Sequence, residues 1–465
     1  MQLRLLLLTT GMLLLASCGG KGGVPPKAMD GPLWTDEERR TVAAYWNTEG
    51  RYKIEPAPDP PRVNVTIAGS EWYWRYQRLL PQQTPERQKQ WETWVNTYLL
   101  TQKAAVQARL RLQESGTSVA QPRGSINELR PFASPPIPAD LSDALGKPPA
   151  LYEIVQPNRY TVTFASEDAP SPFVYTDGIP FAERKTYYPY YRSTNGVIKM
   201  GKRVRDFAGD DEKKLQELLK AVGRTESEAK VLKAVSALEG GFEAINTYDT
   251  GFVSIGFIQF ITAREGNGSL AAVLAQYKTD DPEGFRADFH RFGIDVSPFT
   301  IVAAVDPADG TEKRGAEAVQ AIINDKRLTA VFERAGQGDG FRKAQVKVAR
   351  ERYWPGEDLI VVERNGQQET VRAGDIVKSE AGLATLMDRK VNRGNIRLIN
   401  EVAAKLMEKY RLNHLTDLIP YEREIVQEMK FRADFLNDKT LSQPPPPPPV
   451  PEAKSPSRNP RTKKK

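Results

Sequence analysis

The sequence predicts an α+β protein: a mainly helical domain with a small β-hairpin, preceded by an aromatic-rich region and a β-rich segment. Three observations predict it. Apolar residues recur at helical spacing over 212–221, 228–239, 268–278, 315–323, 340–353, 380–391 and 395–410. Between two of these runs, the glycine-punctuated stretch from Asn246 to Phe260 has the pattern of a hairpin. Residues 151–207 are strand-like, with Tyr160 to Phe164, Phe173 to Tyr175 and the cluster Tyr187-Tyr188-Pro189-Tyr190-Tyr191. The 465 residues provide material for two or three domains.

Residues 1–17 carry Arg4 and then the leucine runs of a short signal peptide, too short to span a bilayer as a helix. They end in Leu15-Ala16-Ser17-Cys18, which resembles a bacterial lipobox. Cys18 is the only cysteine, so the chain can form no internal disulfide, and its sole thiol stands where lipidation requires one. The resemblance implies membrane attachment through lipid on Cys18. Gly19 in place of an aspartate resembles an outer-membrane address, facing the periplasm of a bacterial cell envelope.

Residues 18–30 form a Gly/Pro/Lys-rich tether, and residues 31–113 an accessory region. In that region Val63 to Ile67 alternates like a strand and Thr84 to Glu114 is a long polar helix. Its aromatic group of Trp72, Tyr73, Trp74, Tyr76, Trp91 and Trp94 is expected to form a local core, ahead of a glycan platform. Residues 114–150 are rich in Pro, Ser and Ala and are expected to be a linker. The main domain spans 208–440. Within it Leu359 to Glu363 and Gln368 to Val371 flank Asn365-Gly366, a hairpin signal. Residues 441–465 are polyproline followed by a basic tail, a composition that cannot form a core.

The chemistry concentrates in Ala237-Leu238-Glu239-Gly240-Gly241-Phe242 and the hairpin after it. Val231, Ala234, Val235 and Leu238 mark one helical face, Thr225 and Glu228 have capping-box spacing, and Gly240-Gly241 end the helix. Glu239 borders the apolar face, where partial desolvation raises a carboxyl pKa. Asp249 opens the hairpin ten residues later. Two carboxylates on facing elements are what glycosidic cleavage needs, one to protonate the leaving oxygen and one to serve the other face of the sugar. Gly251 and Gly256 leave the hairpin backbone open to close approach.

Asp249 through Thr250-Gly251-Phe252-Val253-Ser254-Ile255-Gly256-Phe257 resembles the run that carries the second carboxylate of bacterial chitosanases. Gly256-Phe257-Ile258-Gln259-Phe260 resembles an element of goose-type lysozymes and lytic transglycosylases. The likeness is to the lysozyme superfamily over about 210–300, with an echo near 376–408. It departs in a shorter spacing from Glu239 to Asp249 and in Ser254 where the chitosanases have threonine. It implies a lysozyme-like fold, Glu239 as general acid, Asp249 as general base and Ser254 as the group that helps hold the attacking water. Tyr248 is a candidate to stack on a sugar ring, behind aromatic core packing, and Gln259 either donates to sugar or is a buried amide holding the hairpin to the helix. In Ser379 to Gly394, which resembles the later cleft-lining helix, Asp388, Arg389 and Asn392 share one face and are candidates to contact sugar or peptide, behind a structural Asp/Arg pair as the expected role.

The formal charge of +7 lies largely in Lys454, Arg458, Arg461, Lys463, Lys464 and Lys465, leaving a near-neutral body. That excludes a nucleic-acid-binding profile and does not suit cationic chitosan, so peptidoglycan is the expected polymer. His290 and His414 are isolated, without metal-ligand spacing, and no phosphate-binding or dinucleotide motif is present. No cofactor is implied. The expectation is an envelope-anchored glycoside hydrolase. A lytic transglycosylase using Glu239 alone and a non-catalytic wall-binding lipoprotein are the alternatives.

Overall fold

A computed structural model of the chain describes residues 31–115, 136–177, 196–249, 251–364 and 366–448. Cys18 and its signal, the Tyr187–Tyr191 cluster and the basic tail lie outside the described residues. The architecture is α+β, with helices surrounding several small antiparallel sheets.

The chain opens with the helix Asp36–Trp46, started by a capping box between Thr35 and Glu38. Trp34 and Trp46 are buried in the main core, and their indole N–H groups donate to the carbonyls of His290 and Phe292, each at 2.9 Å. This helix therefore packs apart from the aromatic group with which the sequence pattern grouped it. An antiparallel ribbon follows. Tyr52–Pro56 pairs with Asn158–Val162, and Phe173–Thr176 adds a third strand.

At the far end of the ribbon, Arg62–Val65 pairs with Tyr152–Val155, and between them the chain makes a helical insert. Helices Ile67–Leu79, Pro85–Glu114 and Ala139–Leu145 enclose a second core of Trp72, Tyr76, Trp91, Val95 and Leu141. The aromatic cluster is thus a local core. Residues 139–145, expected to be linker, are helical because Leu141 and Leu145 fill that core, while Trp91 Nε1 donates to Asp140. The expected strand from Val63 stops at Val65, where Thr66 caps the next helix.

Most helices of the main body match their sequence patterns closely. The exceptions are Pro282–Asp288, Lys326–Ala335, the one-turn Ala373–Ile376 and Glu422–Met429, and the sheet of Ile294–Val296, Val302–Val305 and Glu312–Arg314. Leu359–Arg364 and Gln367–Arg372 form the expected hairpin, with Arg364 facing Gln367. The tail begins later than its composition suggests. Leu441 is buried, and Ser442 bonds Glu380 and Ala381 at the start of helix Glu380–Arg393.

Because the insert has its own core, Leu141→Ala should weaken it locally by about 2–5 kcal/mol. Hydrogen exchange should then accelerate within 62–155 and stay unchanged around Trp46 and Phe292. Equal acceleration in both would show one cooperative unit.

Candidate active site

Helix Glu226–Ser236 starts from the capping box of Thr225 and Glu228 and buries Val231, Leu232 and Val235. It ends three residues earlier than its apolar pattern, so Leu238 faces outward. The amides of Leu238 and Glu239 donate to the carbonyls of Val235 and Ser236, a tightened last turn that delivers Glu239 past the helix end. The glycines that follow do not end this helix. Gly241 lies against the 200–203 segment, where a methyl group would stand 2.1 Å from the Lys202 carbonyl oxygen.

The chain then enters a four-stranded antiparallel sheet of Ile198–Lys199, Ile245–Asn246, Ser254–Ile255 and Phe260–Ile261. Gln345 clamps it. This buried amide donates to the carbonyl of Phe242 at 2.9 Å and accepts from the Phe257 N–H at 3.3 Å, tying the turn after Glu239 to the hairpin. Gly256, at φ +84°, leaves room for it. A methyl there would meet Gln345 Oε1 at 2.1 Å. What approaches this glycine is the clamp, not sugar.

Glu239 is 13% exposed and accepts from Arg432 Nη2 at 2.7 Å. The same guanidinium donates to Asp388 Oδ1 from Nη2 at 2.6 Å and from Nε at 2.8 Å. The Arg432 N–H also donates to Asp388 Oδ2 at 3.2 Å, and Asn392 Nδ2 to Asp388 Oδ1 at 3.2 Å. Burial raises the Glu239 pKa. The Arg432 charge and hydrogen bond oppose the rise, the Asp388 charge adds to it and the Asn392 amide lowers it.

The structure therefore gathers Glu239, Asp388 and Asn392 around one residue, Arg432, that sequence reasoning missed. Asp388 is 1% exposed with both oxygens engaged, so it positions Arg432 and has no free edge for sugar. Its arginine partner is not Arg389, which instead faces Phe431 and the Met429 carbonyl.

Asp249 sits at the mouth of the hairpin, accepting from Asn246 Nδ2 at 2.7 Å and from the Gly251 N–H at 2.8 Å. Burial raises its pKa, against those two hydrogen bonds. Ser254, buried in the sheet, shares the space over Gly251 with it. A methyl on that glycine would lie 2.7 Å from Ser254 Oγ and 3.1 Å from Asp249 Oδ1. Tyr248 is half-buried, its N–H donating to Asn246 Oδ1. Gln259 has a left-handed backbone at φ +56°. Its amide donates to the Gly256 carbonyl at 3.0 Å and lies beside Gly240, the residue after Glu239. Asp249 lines a recess of about 270 Å³ whose wall includes Thr247, Phe252, Arg264 and Gln320 but not Glu239.

Among the described residues, no group of three or more His, Cys, Asp and Glu side chains is placed to hold a metal ion. None of their helices is long and apolar enough to cross a membrane. Comparisons of the chain with family models, curated proteins and solved structures find no match.

Gly256→Ala should destabilise the protein by about 2–4 kcal/mol, adding left-handed strain of about 1–3 kcal/mol to the disruption of a buried amide. Denaturant unfolding measures it. A loss below about 0.5 kcal/mol would show that the Gln345 clamp is dispensable.

Proposed function

We propose that this chain is a lysozyme-like glycoside hydrolase of the bacterial envelope, anchored through lipid on Cys18. Its proposed substrate is a β-1,4-linked amino-sugar polymer, with peptidoglycan the favoured choice. The observation that carries the reading is the Glu239 carboxyl, buried at a helix end beside a small antiparallel sheet with its pKa raised. A shift in that direction favours the protonated form, the one that can give a proton to a leaving oxygen as the glycosidic bond breaks. Arg432 stabilises the carboxylate left behind and holds its orientation.

Asp249 then takes a proton from water as that water attacks the anomeric carbon, with Ser254 placing the water. Attack from the face opposite the leaving group inverts the anomeric configuration. A second reading, a lytic transglycosylase with Glu239 as sole acid and base, draws support from the recess around Asp249, whose wall excludes Glu239.

Purified peptidoglycan and chitosan, digested separately and analysed by mass spectrometry and NMR, test these readings. Glu239→Gln should lower turnover about a hundredfold or more with binding retained. Asp249→Asn should do comparable damage, and Ser254→Ala should cost about tenfold. An active Glu239→Gln enzyme overturns the assignment. An active Asp249→Asn enzyme releasing anhydro-sugar ends selects the transglycosylase.

The pH profile has a definite sign. Glu239 acts protonated, so kcat/KM falls as pH rises through its pKa. Burial places that alkaline limb above the ordinary carboxylate range. Arg432→Gln removes the charge that favours the carboxylate and should move the limb to higher pH. A limb that stays or moves down would dissociate Arg432 from the acid.

A further inference from the structure

Helix Asp210–Ala221 is followed through residues 222–225 by helix Glu226–Ser236, and a groove of about 880 Å³ lies along both. Glu226, Ala229, Lys230, Lys233, Ala234 and Ala237 line it from the second helix and its end, at the three- and four-residue spacing of one helical face. From Thr225 to Ala237 that wall is about 18 Å long, twelve residue steps of about 1.5 Å. Glu212, Gln216, Leu219 and Lys220 line the groove from the first helix. Lys233 reaches across to Glu212 at 2.8 Å and ties the two walls together.

The groove and the acid site are built on the same two stretches of chain. Ala237 lines the groove and Glu239 follows it closely in sequence, while Asp438 and Thr440 line it soon after Arg432. The Glu239–Arg432 ion pair joins those stretches at 2.7 Å.

We infer that this groove receives the peptide stem of peptidoglycan, a short acidic peptide, when the glycan that carries it lies at Glu239. The ligand class rests on the peptidoglycan reading above. Length agrees, since about five extended residues span about 17 Å. Charge agrees as well. Arg205, Lys220, Arg224, Lys230 and Lys233 line the groove against Glu212, Glu226 and Asp438, an excess of cations. Lys220 is exposed, and the Lys230 side chain is 43% exposed although it stands 3.3 Å from Glu226. A stem peptide carries carboxylates in excess over its ammonium group, so both signs find partners along such a lining. The acids in the lining disfavour a uniform polyanion, which would meet Glu226 and Asp438 with like charge. Between the charges Leu219, Ala229, Ala234 and Ala237 form a floor of mostly small apolar side chains, which admits a peptide backbone and alanyl methyl groups.

Binding is measured by calorimetry on the full chain carrying Glu239→Gln. The probes are a synthetic stem pentapeptide, the same peptide with its carboxylates amidated, and linear polyphosphate. The acidic peptide should bind about tenfold or more tightly than the amidated one. Lys220→Gln with Lys230→Gln should weaken it about tenfold, whereas Lys220→Arg with Lys230→Arg, which keeps the charge, should bind it as the parent does. No binding of the acidic peptide, equal affinity for the amidated one, tighter binding of polyphosphate, unchanged binding in the glutamine variant, or loss in the arginine variant overturns the groove assignment. The wild-type chain then digests intact peptidoglycan and the same glycan stripped of its stems by an amidase. Its kcat/KM should be about tenfold higher on the intact polymer. Equal or faster cleavage of the stripped glycan overturns the stem groove and leaves the hydrolase. Charge-dependent peptide binding without cleavage of either polymer overturns the hydrolase reading and leaves the groove as a peptide-binding site.

Discussion

The guanidinium of Arg432 bridges Asp388 and Glu239, and three distant stretches of chain converge on it. Helix Glu226–Ser236 brings the glutamate, helix Glu380–Arg393 brings the aspartate, and the segment after Glu422–Met429 brings the arginine. A carboxylate with little solvent is costly unless something compensates its charge. Here the compensation is incomplete. One guanidinium serves two carboxylates: Asp388 takes its Nε and a share of Nη2, with the Arg432 backbone N–H besides, leaving Glu239 a single contact with Arg432. Burial therefore wins, and the Glu239 pKa rises. A full bidentate pair would have pulled it the other way.

A second constraint keeps the hairpin in register with that acid. Gln345 spends its amide on Phe242 and Phe257, which stand on either side of the turn between Glu239 and the sheet. The clamp needs a residue without a side chain at Gly256, so the glycine serves packing. Asn246 works at shorter range. It orders the loop by binding Asp249 through its amide nitrogen and the Tyr248 N–H through its oxygen. The two carboxyls are thus placed by different means, one by long-range charge and one by local turn geometry.

What was legible in the sequence was what is local. The Thr225–Glu228 capping box, the long helix after Thr84 and the Asn365-Gly366 hairpin all depend on residues a few positions apart. Asp388 and Asn392 were legible as a helical pair, and Asn392 does donate to Asp388. Their partner was not, because Arg432 lies 44 residues beyond Asp388 with no pattern to connect them. The capping box of Thr35 and Glu38 was present but followed by a run with few large apolar residues, so the helix beginning at Asp36 passed unnoticed. The insert was illegible for a topological reason. Its strands pair across the whole of 66–151, and no local signal announces that Arg62 will face Val155. Leu238 misled because apolar spacing continued past the point where the helix tightened and stopped.

Burial beside an arginine shared with Asp388 raises the Glu239 pKa, and the rest of the site turns on that shift. Isotope-edited NMR of the side-chain carboxyl carbons, titrated in the wild-type protein and in Arg432→Gln, measures this directly. The account predicts a Glu239 midpoint above the ordinary glutamate value of about 4.3, and a still higher one when the guanidinium is removed. A wild-type midpoint at or below that ordinary value, or one that falls on loss of Arg432, would contradict it.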